Sequence, residues 1–146
     1  MKDAWKLALD VDGGLDFEGY QRLAQRTSAN FNSMDKIENG LMGLNGEAGE
    51  CIDILKKHKF QGHELDKEKI KDELGGVLWY CAELAEGLGI TLQEVAEYNI
   101  AKLYKRYPEG FSVDNSVNRI ETQQLSFDDM ELSEKEREWK VKWIVK

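Results

Sequence analysis

Three glutamates are the residues whose type and spacing indicate chemistry. Glu47 and Glu50 are three residues apart in a segment with helical periodicity, and Glu73 lies in the next such segment. On a helix the first two are about 60° apart in adjacent turns, where like charges repel. All three border the apolar stripes of their helices. If the two helices face each other, three carboxylates meet near the core, which is costly without a cation. Such oxygen ligands suit Mg²⁺ or Mn²⁺.

The alternative is that these glutamates are solvated surface residues, because the chain contains 28 acidic residues. Spacing alone favours this interpretation, but a run of glycines changes the balance. Gly40, Gly43, Gly46 and Gly49 recur at every third position around Glu47. Each costs about 1 kcal/mol relative to alanine in a helix. Either a second helix or a ligand approaches this backbone closely, or the segment is not a regular helix.

A second set of residues has the chemistry to bind phosphate. Asn99, Lys102 and Arg106 fall on one stripe of a later helical segment. Two cations and an amide can bind phosphate oxygens and a base or sugar. They can equally form a solvated basic stripe near a helix C-terminus, which the helix dipole favours. Lys56 and Lys57, near the end of the second helix, have the same two interpretations.

Four helices are predicted to position these side chains. Asp16 is expected to cap the first helix, and Thr91 with Glu94 forms a capping box before the fourth. Gly87 and Gly89 are expected to end the third helix. We expect the helices to cover about residues 17–26, 33–57, 66–88 and 91–107. The stripes predicted to be buried are Ile37, Leu41, Leu44, Ala48, Ile52 and Leu55 in the second helix, and Ile70, Leu74, Val77, Leu78, Cys81, Ala85 and Leu88 in the third.

The predicted fold class is all-α, a four-to-five-helix bundle that is completed by oligomerisation. Residues 1–15 form an N-terminal lead-in, residues 16–111 the helical domain and residues 112–146 a C-terminal tail. Within the tail, alternation of apolar and basic residues from Trp139 to Trp143 predicts a strand, whereas a capping box that begins at Ser133 predicts a helix. The segment 111–118 is predicted to be turn-like.

Composition excludes several function classes. The net charge of -8 argues against a long nucleic acid as partner, because duplex binding needs a basic surface. No segment has the apolar length of a membrane span, and the first residues lack the pattern of a signal peptide. Cys51 and Cys81 lie within helical patterns and are interpreted as reduced core residues. We therefore expect a cytoplasmic protein without a membrane partner.

Four segments resemble a known family. The run Gly43–Glu50 resembles the first half of the E-x-x-E…E-x-x-D signature of MazG-like nucleotide pyrophosphohydrolases, and Asp72–Tyr80 resembles the second half. Asn99–Leu103 and Arg106–Phe111 are similar to the last helix of the same family. Together the resemblance covers roughly residues 17–118.

The resemblance implies a helical fold assembled as a homodimer or as a dimer of dimers. It also implies Mg²⁺-dependent hydrolysis of a nucleoside triphosphate to the monophosphate and pyrophosphate. Glu47, Glu50 and Glu73 would bind the metal, and Glu50, with Glu47 beside it, would orient or deprotonate the attacking water. Asn99 and Lys102 match the helix-four positions that hold the metal-bound substrate.

One position departs from the family pattern. The fourth acid of the signature is replaced by Gly76, and Asp72 points about 100° away from Glu73. Three explanations stay open: weak catalysis, nucleotide binding without turnover, or a glycine particular to this form of the chain. The alternative function is therefore a non-catalytic helical oligomer that senses nucleotide or binds a protein partner.

Overall fold

A computed structural model describes residues 14–118, and these residues form an all-α structure without strands. The five helices are α1 (Phe17–Ala24), α2 (Ser33–Gln61), α3 (Lys67–Leu88), α4 (Leu92–Arg106) and α5 (Val113–Val117), with a 3-10 turn (Gln25–Thr27) after α1. The predicted fold class is confirmed in its all-α character. The prediction of a turn-like segment over 111–118 was wrong, because α5 lies there.

The helix starts follow local hydrogen bonding that is readable from the sequence. The Asp16 carboxylate accepts a hydrogen bond from the backbone N–H of Gly19 at 2.7 Å, and Asp66 caps α3 in the same way. At α4, Thr91 and Glu94 form the predicted capping box, in which each side chain accepts from the other's backbone N–H. These caps satisfy N–H groups that have no partner within the helix.

The helix ends agree less well with the prediction. α2 continues to Gln61, one turn beyond the predicted end at Lys57, and stops where Gly62 adopts a left-handed conformation. Gly89 ends α3 in the same conformation, as predicted. Gly87, however, lies inside α3 and is buried. It is needed there because a Cβ would lie 2.9 Å from backbone atoms of α2.

A glycine seam joins α2 and α3 into a closely packed hairpin, which is the most extensive contact between elements in the described chain. A Cβ on Gly40 would lie 2.7 Å from the Cβ of Leu84. A Cβ on Gly43 would overlap the ring of Tyr80. The two backbones approach so closely because the side chains at these positions are absent. Gly46 and Gly49, in contrast, have no atom within 4 Å of an added Cβ, so that close packing within the chain explains only part of the glycine run.

Only part of the predicted apolar stripes lies where α2 and α3 meet: Ile37 packs beside Gly87, but many other stripe residues are open to solvent. Ile52 is 68% exposed and Leu74 is 52% exposed, and several neighbours in both stripes are similarly open. Of the residues predicted to be buried, Ala85 is buried within the chain. The prediction of burial was therefore wrong for the exposed stripe residues, whereas five others are half-buried; the exposed ones are Leu41, Ala48, Ile52, Leu55, Leu74, Leu78 and Leu88. Periodicity identifies an apolar face but does not say which neighbour covers it.

Buried polar groups fix α1 and its 3-10 turn against α3. Glu83 is fully buried and accepts hydrogen bonds from Gln25 Nε2 and from Ser28 Oγ, each at 3.0 Å. Gln21, also buried, donates to Glu86 at 3.1 Å and accepts from the backbone N–H of Leu92 at 2.6 Å. A buried polar group that loses its partner is costly, so these contacts hold the turn in one position.

The chain divides into two compact units, residues 1–95 and residues 96–146, of which residues 14–95 and 96–118 are described. In the second unit Asn115 Nδ2 donates to the carbonyl oxygen of Arg106 at 3.0 Å, and the rings of Tyr107 and Phe111 lie 5.6 Å apart. The N-terminal lead-in up to residue 13 and the strand or helix predicted over residues 133–143 fall outside the described residues.

Within residues 14–118, no helix combines the length with the apolar character that crossing a bilayer requires.

The glycine seam yields a stability prediction. Gly40→Ala should destabilise the fold by about 1–3 kcal/mol, because the new methyl group overpacks against Leu84. Gly46→Ala is the matched control on the same helix and should stabilise by up to about 1 kcal/mol, because its methyl meets open space. Urea unfolding at one protein concentration measures both. Equal stabilisation by the two changes would contradict the close approach of α2 and α3.

Candidate metal centre

The glycine seam continues into the acidic residues. Along α2 the seam positions advance from Gly40 through Gly43 to Glu47, while their partners on α3 recede from Leu84 through Tyr80 to Gly76. This antiparallel register sets the Glu47 side chain against the backbone of Gly76, where an added Cβ would lie 2.5 Å from the Glu47 carboxyl carbon. The sequence spacing that allows helix packing therefore also aims this carboxylate at α3.

The structure brings the carboxyls of Glu47, Glu50 and Glu73 together. The Glu73 carboxyl is close enough to those of Glu47 and Glu50 for both to influence its pKa. Burial raises the pKa of Glu73, and the hydrogen bond and negative charge of Glu47 raise it further. The charge of Asp72 acts in the same direction, whereas the contact with Glu50 lowers the pKa. Glu47 and Glu73 are half-buried and Glu50 is exposed.

This arrangement fits a divalent cation in its donor chemistry. Three carboxylates from two facing helices supply hard oxygen ligands, and a cation among them would relieve their mutual repulsion. As the side chains stand, however, no three His, Cys, Asp or Glu residues within 14–118 have donor atoms grouped to hold an ion. Binding a cation therefore requires these side chains to turn, which long glutamate side chains can do.

Lys56 and Lys57, predicted to bind substrate, are engaged with a neighbour on their own helix. Both ammonium groups contact the carboxylate of Asp53, Lys57 at 2.6 Å. These hydrogen bonds and charges lower the pKa of Asp53 to about 2, so the acid stays ionised at neutral pH. Sequence reasoning missed Asp53, although its spacing of three and four residues before the lysines is a readable signal.

The stripe of Asn99, Lys102 and Arg106 lies on the part of α4 that belongs to the second unit. Asn99 is exposed, and Lys102 and Arg106 are half-buried. The Nε atom of Arg106 is buried and has no hydrogen-bond partner within the described residues. A buried guanidinium nitrogen without a partner is costly, and an anion that approached this group would satisfy it.

Comparisons with known proteins point to one family. Residues 36–111 match the family model of the MazG nucleotide pyrophosphohydrolase domain. The chain is also similar to the gene 37 protein of Mycobacterium phage L5, with 33% identity over 91 residues that cover 60% of this chain and 80% of the phage protein. No solved structure is significantly similar to the chain.

The lysine pair yields a prediction about anion binding. If Lys56 and Lys57 contact a triphosphate, Asp53→Asn should tighten its binding a few-fold, because the substitution removes a competing anion and frees both ammonium groups. Calorimetry with a non-hydrolysable nucleoside triphosphate and Mg²⁺ measures this. Glu68→Gln is the matched control, since it removes the comparable exposed ion pair to Lys71 on α3. Unchanged affinity in Asp53→Asn would indicate that the two lysines only stabilise α2 and do not bind the triphosphate.

Proposed function

Because this chain belongs to the MazG nucleotide pyrophosphohydrolase family, we propose that it hydrolyses a nucleoside triphosphate to the monophosphate and pyrophosphate with Mg²⁺ or Mn²⁺. The observation that carries the proposal is the meeting of Glu47, Glu50 and Glu73 across the α2–α3 hairpin. Family membership gives the class of reaction, and the carboxylates give a place on this chain where it can occur.

Three carboxylates in contact are unfavourable unless something compensates their charge. Protonation is one means, and the raised pKa of Glu73 reflects it. A divalent cation is the other, and it adds the affinity for phosphate oxygens that an acidic site otherwise lacks. An acidic chain can in this way bind a polyanion. The metal, when bound, would neutralise the phosphates and make a water molecule more nucleophilic.

The three glutamates differ in exposure, and this suggests a division of labour. Glu47 and Glu73 are half-buried between α2 and α3, where they can hold a cation in a fixed position. Glu50 is exposed and reaches solvent, so that it can accept a proton from a water molecule aimed at the triphosphate. Glu47 stands beside it as a second carboxylate able to orient that water. Phosphoryl transfer depends mainly on positioning and charge stabilisation, and these residues supply both.

The remaining predicted residues are proposed to bind the substrate. Asn99 and Lys102 would hold the metal-bound triphosphate, and Arg106 has a buried Nε atom that needs a partner. Lys56 and Lys57 would contact phosphate after it displaces the carboxylate of Asp53, their present partner. We place the reaction in a reducing compartment, the cytoplasm, because Cys51 and Cys81 are free thiols.

A second copy of the chain is proposed to cover the exposed stripes, giving a homodimer or a dimer of dimers. The buried apolar residues in the described part are Ala82, Ala85 and Leu92, which is little core for a structure of this size. Burying one leucine or isoleucine side chain contributes roughly 1.5–3 kcal/mol. The stripes are on both helices that carry the glutamates, so assembly would stabilise the hairpin. Exposed side chains on these stripes include Leu41, Ile52, Leu55, Leu74, Leu78 and Leu88.

The alternative function is a non-catalytic module that senses nucleotide or binds a partner protein. Gly76 favours it, because this position provides no side-chain ligand. The same chain would then bind triphosphate and metal without turnover. Release of pyrophosphate distinguishes the two functions directly.

A substitution at Glu50 tests the enzyme function. Glu50→Gln should lower pyrophosphate release from a panel of nucleoside triphosphates by at least about 100-fold, because the amide cannot accept a proton from water. Glu38→Gln, at an exposed acid of the same helix, is the matched control and should retain the activity. Coupled-enzyme detection of pyrophosphate with Mg²⁺ or Mn²⁺ gives both rates.

Gly76→Asp is measured in the same assay because it restores the acid of the family pattern. Absence of release from both this chain and Gly76→Asp would overturn the enzyme function. If calorimetry then detected binding of a triphosphate, the sensing function would stand. Without binding, only a partner-binding role would be left.

The proposed assembly is tested by introducing a charged residue into the exposed apolar stripe of α2. Ile52→Asp should shift the protein from dimer or tetramer to monomer in sedimentation velocity, because a buried carboxylate in an apolar interface is unfavourable. Val113→Asp is the control, since Val113 is 70% exposed on α5 and lies off the stripes. A wild-type chain that sediments as a monomer would contradict the proposed assembly.

A further inference from the structure

The space beside Gly76 is occupied by the side chain of Glu47. An added Cβ at this position would lie 2.5 Å from the Glu47 Cδ and 2.9 Å from its Cγ, and closer still to Oε2. Real Cβ atoms do not approach other heavy atoms so closely, so Glu47 must move if any side chain is present at residue 76. Glycine at this position is therefore complementary to the observed Glu47 conformation.

The neighbouring Gly75 shows that the conflict between an added Cβ and Glu47 is confined to residue 76. A Cβ on Gly75 would have no atom within 4 Å, although the two residues are adjacent on α3. A helix can thus accept alanine at residue 75 and gain stability, because alanine favours the helix over glycine. At residue 76 the same gain is opposed by the contact with Glu47.

We infer that Glu47 takes the place of the missing side chain at residue 76, reaching across the seam so that its carboxylate occupies the position from which that side chain would act. The inference rests on the proposed function for its metal-binding consequence, but its packing part stands on the geometry alone. Residues 73 and 76 lie on adjacent turns of one helix face. A carboxylate over Gly76 is consequently next to Glu73, where a ligand from residue 76 would also be.

The length of the glutamate side chain explains why Glu47 can replace a side chain at residue 76. Glutamate has one methylene more than aspartate, so that its carboxylate can cross from α2 to the surface of α3. The approach requires a flat backbone on α3, and glycine is the only residue that provides it. On this view the space at Gly76 still receives a carboxylate, which comes from α2 instead of α3. The site then has three carboxylates where the family signature has four acids.

The packing part is tested by a double-mutant cycle in the absence of metal. Gly76→Ala is compared in the natural chain and in a Glu47→Ala background, with Gly75→Ala as the matched control in both. Thermal unfolding in EDTA, at one protein concentration, is the readout. We expect Gly75→Ala to raise the Tm by about 2–6 °C in either background. Gly76→Ala should raise it by a similar amount only when residue 47 is alanine.

The metal-binding part uses Mn²⁺ alone as the probe, with free Mn²⁺ measured by electron paramagnetic resonance. Glu47→Ala should weaken Mn²⁺ binding about 10-fold or more. The double variant Glu47→Ala with Gly76→Asp should recover most of this loss, because it returns a carboxylate to the same space from the other helix. Glu47→Ala with Gly76→Ala is the control and should not recover it.

Each outcome decides the inference. Equal effects of Gly76→Ala in the two backgrounds would overturn it, as would recovery of Mn²⁺ binding by the Gly76→Ala control. A Glu47→Ala variant that binds Mn²⁺ as tightly as the natural chain would also overturn it. If the natural chain binds no Mn²⁺, the proposed function fails at its metal, and the unfolding cycle alone decides whether Glu47 fills the space at Gly76.

Discussion

The close approach of two helix backbones at the glycine seam is the constraint on which the rest of this structure depends. At Gly40 and Leu84 the helices α2 and α3 are too close for a side chain on the glycine. Such contacts permit little sliding or rotation, because a shift would bring larger side chains into the seam. The register they fix extends along the hairpin to the position where Glu47 meets Gly76. The acidic site is thus a consequence of how the hairpin packs.

That packing also creates an electrostatic cost. It brings Glu47 and Glu50 close to Glu73, whose pKa is raised by partial desolvation and by the charge of Glu47. Neutral residues would pack at these positions without repulsion. A bound cation would offset the repulsion of the carboxylates, and this is the basis of the proposed hydrolysis. Gly76 then matters less as an absent ligand than as the surface that receives Glu47.

The same hairpin exposes apolar surface on its other faces. Ile52 and Leu74 are open to solvent, while the buried apolar residues of the described chain are few and small. In the described residues the buried Glu83 has hydrogen-bond partners, whereas many large apolar side chains have no cover within the chain. We propose that a second copy of the chain covers this apolar surface. The assembly would place stabilising contacts on the helices that carry the acidic residues. Stability and activity would then depend on the same interface.

The sequence by itself determined helices α1 to α4, although not α5, and it located the starts of α1 and α4 because Asp16, Thr91 and Glu94 act through hydrogen bonds to residues three positions away. It also indicated the acidic residues of the candidate site, because helical spacing sets which side chains share a face. The sequence did not predict which apolar residues are buried. Periodicity marks an apolar stripe but does not say which neighbour covers it, and the α2–α3 contact sets glycines against larger side chains, such as Gly40 against Leu84. Only the tertiary structure decided the register of the hairpin, and with it the contact between Glu47 and Gly76, because that contact joins residues distant in the chain through backbone proximity that no local pattern encodes.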